Sequence, residues 1–482
     1  MLSITVRFLH GTLRAGSPDD TVMAGGEPVG EWPPSPARLF SAFVAADGTG
    51  ERCSVTAGDE LAVLEQLGSP KVFADEWEQL CSSALRARYV VRDSTDSNMV
   101  HNYPARTSRE VRPGVKLSPN HPEVVYVWDH DVDDEVFGAL ARRAARIGYL
   151  GCSDSPVQVV VGRHGPPDYL TEWRPGATGG LPLPVPYPGF LDALDDAFAR
   201  WSGGEAMRRS WIPTRRAVYG TEPTQSTASP SVIWLTLDRA IHGRKALLVS
   251  ETLRAAVLDH VDRLLRSPEQ PGGSGAAPVP WQLHGHSIPD DVRPPYQIAR
   301  FLPLANVGYR HSDGRIRGAA VWLPPACPPE LVQAVRTALL ARIRRLVAPG
   351  LDVGVDPTRA TASLLWSANP RRWIGPARRW FSATPVVVER GRRRGPTLED
   401  VRSWFSHAGH PEPVWARISP VPTKPGVVRL GGREVHRRGK DRHPFYWLDV
   451  VFEQPVEGPL CVGRSRSFGM GLFAPEMRKG QS

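Results

Sequence analysis

Thr221-Glu-Pro-Thr-Gln-Ser-Thr-Ala-Ser-Pro230, followed at once by Val232-Ile-Trp-Leu-Thr-Leu237, separates two stretches of chain that read alike. The first segment has the composition of a linker, because Pro, Ser and Thr without apolar periodicity offer nothing to bury. The second is strand-like, and Leu253, Val257, Val261 and Leu264 then recur at helical spacing. A polar Gly/Pro-rich gap over 267–280 leads to strand-like runs at 298–304 and 317–323. Pro328 and Pro329 then open a helix predicted over 330–347. From Ser363 onward the chain is strand-rich, with strands expected near 385–388, 414–418 and 446–452.

The stretch before the linker begins the same way. Residues 2–8 alternate as a first strand, and Glu31-Trp32-Pro33-Pro34-Ser35-Pro36 ends on an N-cap serine followed by a first-turn proline. The helix that starts there carries Leu39, Phe40, Phe43 and Val44 as its apolar stripe. A strand at 123–128, a helix over 133–147 and a strand at 157–161 complete the series. The pattern is α+β, read as tandem ferredoxin-like (RRM-like) modules with long insertions, one before the linker and about two after it.

Charge is uneven along the 482 residues. Residues 371–482 hold 21 of the 59 Lys and Arg and 10 of the 50 Asp and Glu, a surplus of 11, while the other 370 residues sum to −2. An arginine-dominated basic segment is the electrostatic footprint of a nucleic-acid binder, and arginine suits bidentate phosphate contacts. The five cysteines (Cys53, Cys81, Cys152, Cys327 and Cys461) are odd in number and include no CxxC pair, which speaks for reduced thiols and against a zinc ribbon or disulfide scaffold. No apolar run approaches eighteen residues, and Met1–Phe8 alternates instead of forming a signal-peptide core. A cytoplasmic protein with no membrane partner is expected.

The basic segment ends in Gly463-Arg464-Ser465-Arg466-Ser467-Phe468-Gly469-Met470-Gly471. Three glycines in nine positions let the backbone turn and approach a partner closely, with arginines and exposed N–H groups facing an anion. A phosphodiester backbone is the expected anion, and a tight hairpin capping a domain is the plainer alternative. Among fourteen histidines, His284 and His286 lie on a loop with a glycine between them, and His311 lies in the turn Asn306-Val-Gly-Tyr-Arg-His-Ser-Asp-Gly314. Histidine serves as acid or base near neutral pH. His407, His410, His436 and His443 sit among arginines, where they would add to a phosphate-binding face. His284, His286, Asp290 and Asp291 form a weaker metal alternative that lacks a well-placed third ligand, so no metal is expected. No GxSxG elbow, phosphate-binding P-loop or dinucleotide fingerprint is present, and no cofactor is expected.

Ile4-Thr-Val-Arg-Phe with Glu31-Trp-Pro-Pro-Ser-Pro-Ala-Arg-Leu-Phe-Ser-Ala resembles the start of the Cas-five/Cas-six fusion subunit of type I-G (formerly I-U) CRISPR effectors. Tyr149-Leu-Gly-Cys-Ser-Asp-Ser, Gly285-His286, Phe301-Leu-Pro-Leu-Ala-Asn-Val-Gly, His311-Ser-Asp-Gly314 and Thr384-Pro-Val-Val-Val388 continue the likeness in order. The glycine segment is similar to the C-terminal motif of the repeat-associated RNA-binding (RAMP) superfamily. The resemblance implies a five-type domain over 1–225 that holds the guide-RNA 5′ handle, and a six-type endoribonuclease over 226–482. It implies repeat and guide RNA and the backbone and large subunits of the complex as partners. The implied reaction is metal-independent: the ribose 2′-OH attacks the adjacent phosphate and leaves a 2′,3′-cyclic phosphate and a 5′-OH. His286 is the first choice for acid or base and His311 the second. Gly463, Arg464, Ser465, Arg466, Ser467, Gly469 and Gly471 are the implied RNA contacts. Tyr309 stands where the family often has a further histidine. A non-catalytic, structural RNA-binding subunit is the alternative.

Overall fold

The computed structural model describes residues 1–16, 30–46, 56, 58–85, 114–205, 211–221, 231–265, 279–290, 292, 297–356, 366–389, 395–437 and 443–476. Linker residues 222–230, most of the 267–280 gap, and Asp291 lie outside them. The chain divides into two units, Met1–Glu222 and Pro223–Ser482. Helices and antiparallel sheets make up both, so the fold is α+β.

In the first unit the elements run β1 (Leu2–Phe8), α1 (Pro36–Ala45), α2 (Asp59–Gln66), β2 (Lys71–Ala74), β3 (Leu80–Leu85), β4 (Gly114–Pro119), β5 (Glu123–Trp128), α3 (Asp134–Ala144) and β6 (Val157–Gly162). β7 (Thr171–Pro175), β8 (Leu181–Val185), α4 (Phe190–Ser202) and β9 (Arg215–Thr221) follow. The main sheet has the order β6-β1-β5-β2-β7-β9-β8. Its first four strands place the third and first strands of a β-α-β-β-α-β series at the centre. β1 turns Leu2, Ile4, Val6 and Phe8 inward by simple alternation. Helix α1 starts where Ser35 Oγ accepts the Arg38 backbone N–H, with Pro36 in the first turn, and it buries Leu39, Phe40 and Phe43. Glu31 fixes that start. Its carboxylate accepts from Ser35 N at 2.6 Å and from Arg38 Nε and Nη2 at 3.0 and 2.6 Å.

The second unit begins with β10 (Ser231–Ile241), α5 (Ala246–Leu265), the short α6 (Trp281–His284), β11 (Arg300–Ala305), β12 (Ile316–Leu323), α7 (Pro329–Thr337), β13 (Arg345–Ala348) and β14 (Leu351–Asp356). Their order, β11-β12-β10-β14-β13, repeats the arrangement of the first unit with a hairpin strand added at one edge. The helix predicted over 330–347 is shorter than expected. It relaxes into a wide π turn at Ala338–Arg342, and β13 begins at Arg345. The reason lies in the sequence: Pro349-Gly350 forms a hairpin turn that pairs 345–348 with 351–354.

The third series comprises α8 (Arg371–Ile374), β15 (Ala377–Ser382), β16 (Val386–Val387), α9 (Leu398–His407), β17 (Trp415–Ser419), α10 (Gly432–Val435), β18 (Phe445–Val456) and β19 (Phe473–Pro475). β15 pairs with both β18 and β19, and β17 pairs with the other side of β18. Thr397 caps α9 by accepting the Asp400 N–H, while Asp400 accepts in return from Thr397 N. Val401, Trp404 and Phe405 of this helix pack on Val450, Phe452 and Phe473 of the sheet. Full burial of an aliphatic or phenyl side chain there stabilises the fold by about 1.5–3 kcal/mol. Among the described residues no helix is long and apolar enough to cross a membrane.

Candidate nucleic-acid interface

The glycine segment is a tight loop between the paired residues Cys461 and Leu472. Gly463, Gly469 and Gly471 take φ of +94°, +70° and +73°, a region that L side chains avoid. The close approach they permit is to the protein itself. A Cβ at Gly469 would lie 2.3 Å from the Pro303 ring, 2.6 Å from Phe301 O and 2.7 Å from Ser250 Oγ, so the loop lies directly on β11 and α5. Thr384 pins it from beneath, donating to Gly469 O at 2.8 Å and accepting from Leu472 N at 2.9 Å. Ser465 and Ser467 are half-buried on the loop.

The two loop arginines differ. Arg464 is exposed, and its backbone N–H donates to Val387 O at 3.0 Å. Arg466 folds back, and its Nη1 donates to Glu389 at 2.9 Å and to Gly463 O at 3.0 Å. Glu389 also holds His407 Nδ1 at 2.9 Å. Arg466 therefore braces the loop and would have to exchange Glu389 to meet a phosphate.

Beneath the loop, the buried Arg300 of β11 reaches His410 Nε2 at 2.9 Å and Ala408 O at 2.7 Å, with its guanidinium 3.9 Å over the Trp322 ring. Burial lowers its pKa to about 10, so it keeps its charge at neutral pH. Because the guanidinium only donates, His410 Nε2 accepts and the ring is neutral. Burial first, then the nearby Arg300 and Arg466, hold His410 well below the usual histidine range. His410 is thus a half-buried, neutral acceptor that adds no charge to a phosphate face, which corrects the grouping drawn from sequence. Cys461, pushed up to about 12 by burial, stays a thiol. The His410 shift has a consequence for stability. The unfolded chain takes up a proton below about pH 6.5 while the folded His410 resists it, so stability present above that pH is lost as pH falls. A fall in melting temperature is expected below that pH, and His410→Gln, which keeps an acceptor, should flatten this part of the profile.

At its outer edge the loop carries Phe468 beside two cations. The Arg437 guanidinium lies 4.3 Å and that of Arg254 5.3 Å from the ring centroid. Arg437 Nε donates to Glu251 at 2.9 Å, and Arg254 Nη2 donates to His284 O at 3.0 Å. Arg254 thereby ties the loop's edge to the turn that carries His286. In that turn His284 accepts the His286 backbone N–H at Nδ1 (2.9 Å) and faces Val279 O with Nε2 (2.8 Å). Both nitrogens are committed, which makes His284 a neutral structural ring and removes it as a metal ligand. His286 is exposed, stacked 5.7 Å from His284, and bracketed by Gly285 at φ +74° and Ser287 at φ +53°. Ser287 is the one non-glycine with positive φ among the described residues. Strain of this kind gathers at functional sites.

His311 is elsewhere. The His286 turn joins the start of β11, where Ala299 N donates to Gln282 O at 2.7 Å, while His311 lies in the turn beyond its far end. The six residues of β11 span roughly 20 Å at ~3.3 Å each, so the two turns flank opposite ends of the strand. Around His311, Asn306 Nδ2 donates to Asp313 at 3.0 Å, Tyr309 OH donates to Asn306 at 2.5 Å, and Ser312 Oγ accepts from Tyr309 N at 3.0 Å. His311 itself is exposed. Among the described residues no group of three or more His, Cys, Asp and Glu is placed to hold a metal ion. Arg254, Arg437 and Phe468 were not singled out from sequence, since Arg254 lies far upstream of the other two and no local signal links them.

The model of the family described as CRISPR-associated protein, GSU0054 family, matches residues 17–391. The chain belongs to that family. No curated protein matches it. Membership places this CRISPR-associated protein in CRISPR defence, and the matched span includes both the His286 and the His311 turns.

Proposed function

We propose that this CRISPR-associated protein is a Cas-five/Cas-six type fusion subunit of a type I-G effector, which binds guide RNA and cuts repeat RNA. In this reading residues 1–225 hold the 5′ handle and 226–482 cut. The three β-α-β-β series, each with its third and first strands adjacent at the sheet centre, support ferredoxin-like modules. The observation that carries the reading is the convergence of the glycine loop, Phe468, Arg254 and Arg437 on the turn that presents His286.

RNA cleavage by the neighbouring 2′-OH needs a proton acceptor, a donor for the leaving 5′-oxygen, and cations on the phosphorane. His286 supplies the titratable group. Arg254, Arg437 and exposed Arg464 supply positive charge, and Phe468 offers a ring beside which a base can stack. The competing reading is a structural RNA-binding subunit with cutting done elsewhere. Incubation of the full chain with labelled repeat RNA in EDTA separates the two. Cleavage is expected; tight binding without cleavage favours the structural subunit, and cutting only after Mg²⁺ or Mn²⁺ is added rules out the metal-independent route.

A further inference from the structure

A second polar cluster lies in the first unit, at the edge where β1, β5, β2 and β7 end together. Asp75, just after β2, is fully inaccessible (0% exposed) and spends both carboxylate oxygens on one residue. Oδ1 accepts His121 Nδ1–H at 2.7 Å and Oδ2 accepts the His121 backbone N–H at 2.8 Å. The imidazole is stacked on the Tyr169 ring, with centroids 4.5 Å apart and planes inclined by 29°. Tyr169 OH donates to Glu123, the first residue of β5, and Arg7 Nη2 donates to the other Glu123 oxygen at 3.3 Å. Arg7 and Glu123 face each other in the β1–β5 register.

The charges are layered. The carboxylates lie inside, Asp75 at 0% and Glu123 at 9% side-chain exposure, whereas their partners His121 and Arg7 stand outside at 39% and 60%. Tyr169 is 53% exposed between them. Because Asp75 takes the Nδ1 proton, Nε2 is left without a partner among the described residues. A cluster serving only to tie the turn would bury these rings; this one spends a buried carboxylate to hold an imidazole edge and an aromatic face towards solvent. An acidic inner layer that orients an arginine, an imidazole edge and an aromatic ring matches the needs of one nucleotide: Arg7 for its phosphate, the imidazole edge for a polar contact and a π face for its base.

We infer that Arg7, His121 and Tyr169 form a binding site for one nucleotide of single-stranded RNA, with Asp75 and Glu123 as positioning residues. The inference rests on the reading that the first unit holds guide RNA, and it names the residues that do so. In full-length protein irradiated with 5-iodouridine-substituted single-stranded RNA, an adduct on the peptide carrying Tyr169 is expected. Tyr169→Ala and His121→Asn should each weaken binding about tenfold, the scale of one lost base–aromatic stack, and Tyr169→Phe, which keeps the ring, should stay within about twofold. Adducts confined to the Arg254, His286 and Arg464 surface, with unchanged affinity of Tyr169→Ala, overturn this site and leave RNA binding standing. A wild-type protein that binds no RNA overturns both.

Discussion

His286→Ala should slow metal-free repeat-RNA cleavage by at least ~10²-fold and leave RNA affinity nearly unchanged. The expectation follows from the division of labour within one turn. His284 has both ring nitrogens engaged, so it shapes the turn, whereas His286 is exposed between two left-handed backbone positions. Removing an exposed side chain costs little stability, so a loss of rate would report chemistry and not folding. Single-turnover rates with saturating enzyme, alongside binding measured on a substrate with a 2′-deoxy block at the cut site, distinguish the two. Near-normal cleavage by His286→Ala moves the acid–base role to His311, at the other end of β11.

Gly471→Ala should destabilise the second unit by about 3 kcal/mol. The added Cβ would sit 1.9 Å from Val462 O, in a backbone region that already disfavours an L side chain, at φ +73°. Both Gly471 and Val462 are tied into the loop, with Val462 N donating to Gly471 O at 3.0 Å and Gly471 N to Pro385 O at 2.9 Å. The clash therefore cannot be relieved by moving a flexible side chain. Gly350→Ala is the control, because that glycine has φ +83° with open space around it and pays the backbone cost alone, about 1 kcal/mol. Urea unfolding of the two variants should show the difference; equal midpoints would mean that the loop is not packed as described.

The repeated α+β series was legible because its central strands and helices carry strong periodic signals: alternation in β1, the Ser35-Pro36 start of α1, and the Leu253–Val257–Val261 stripe of α5. The elements that escaped are those whose identity depends on neighbours. Lys71–Ala74 is four residues between Pro70 and Asp75, and it is a strand only because β5 and β7 flank it. Ala377–Ser382 carries Arg378 and Arg379 in its exposed half, which hides the buried Trp380 and Phe381. The glycine loop was conspicuous in sequence, yet its glycines serve close packing within the protein, Gly469 on β11 and α5, Gly463 on Val387 and Gly471 on Val462, a tertiary fact no local pattern carries. The same holds for His410, whose basic neighbours in sequence suggested a surface, while folding places it under Cys461 and against Arg300. Gly285-His286 was identifiable, but its link to Phe468 through Arg254 joins segments nearly two hundred residues apart.

The most direct test of the central claim is analysis of the ends left when the full-length protein, freed of metal with EDTA, acts on repeat RNA. One discrete cut bearing a 2′,3′-cyclic phosphate on the upstream fragment and a 5′-OH on the downstream one is expected, and it should vanish in His286→Ala. Products ending in 3′-OH and 5′-phosphate, or intact RNA that remains tightly bound, would contradict it.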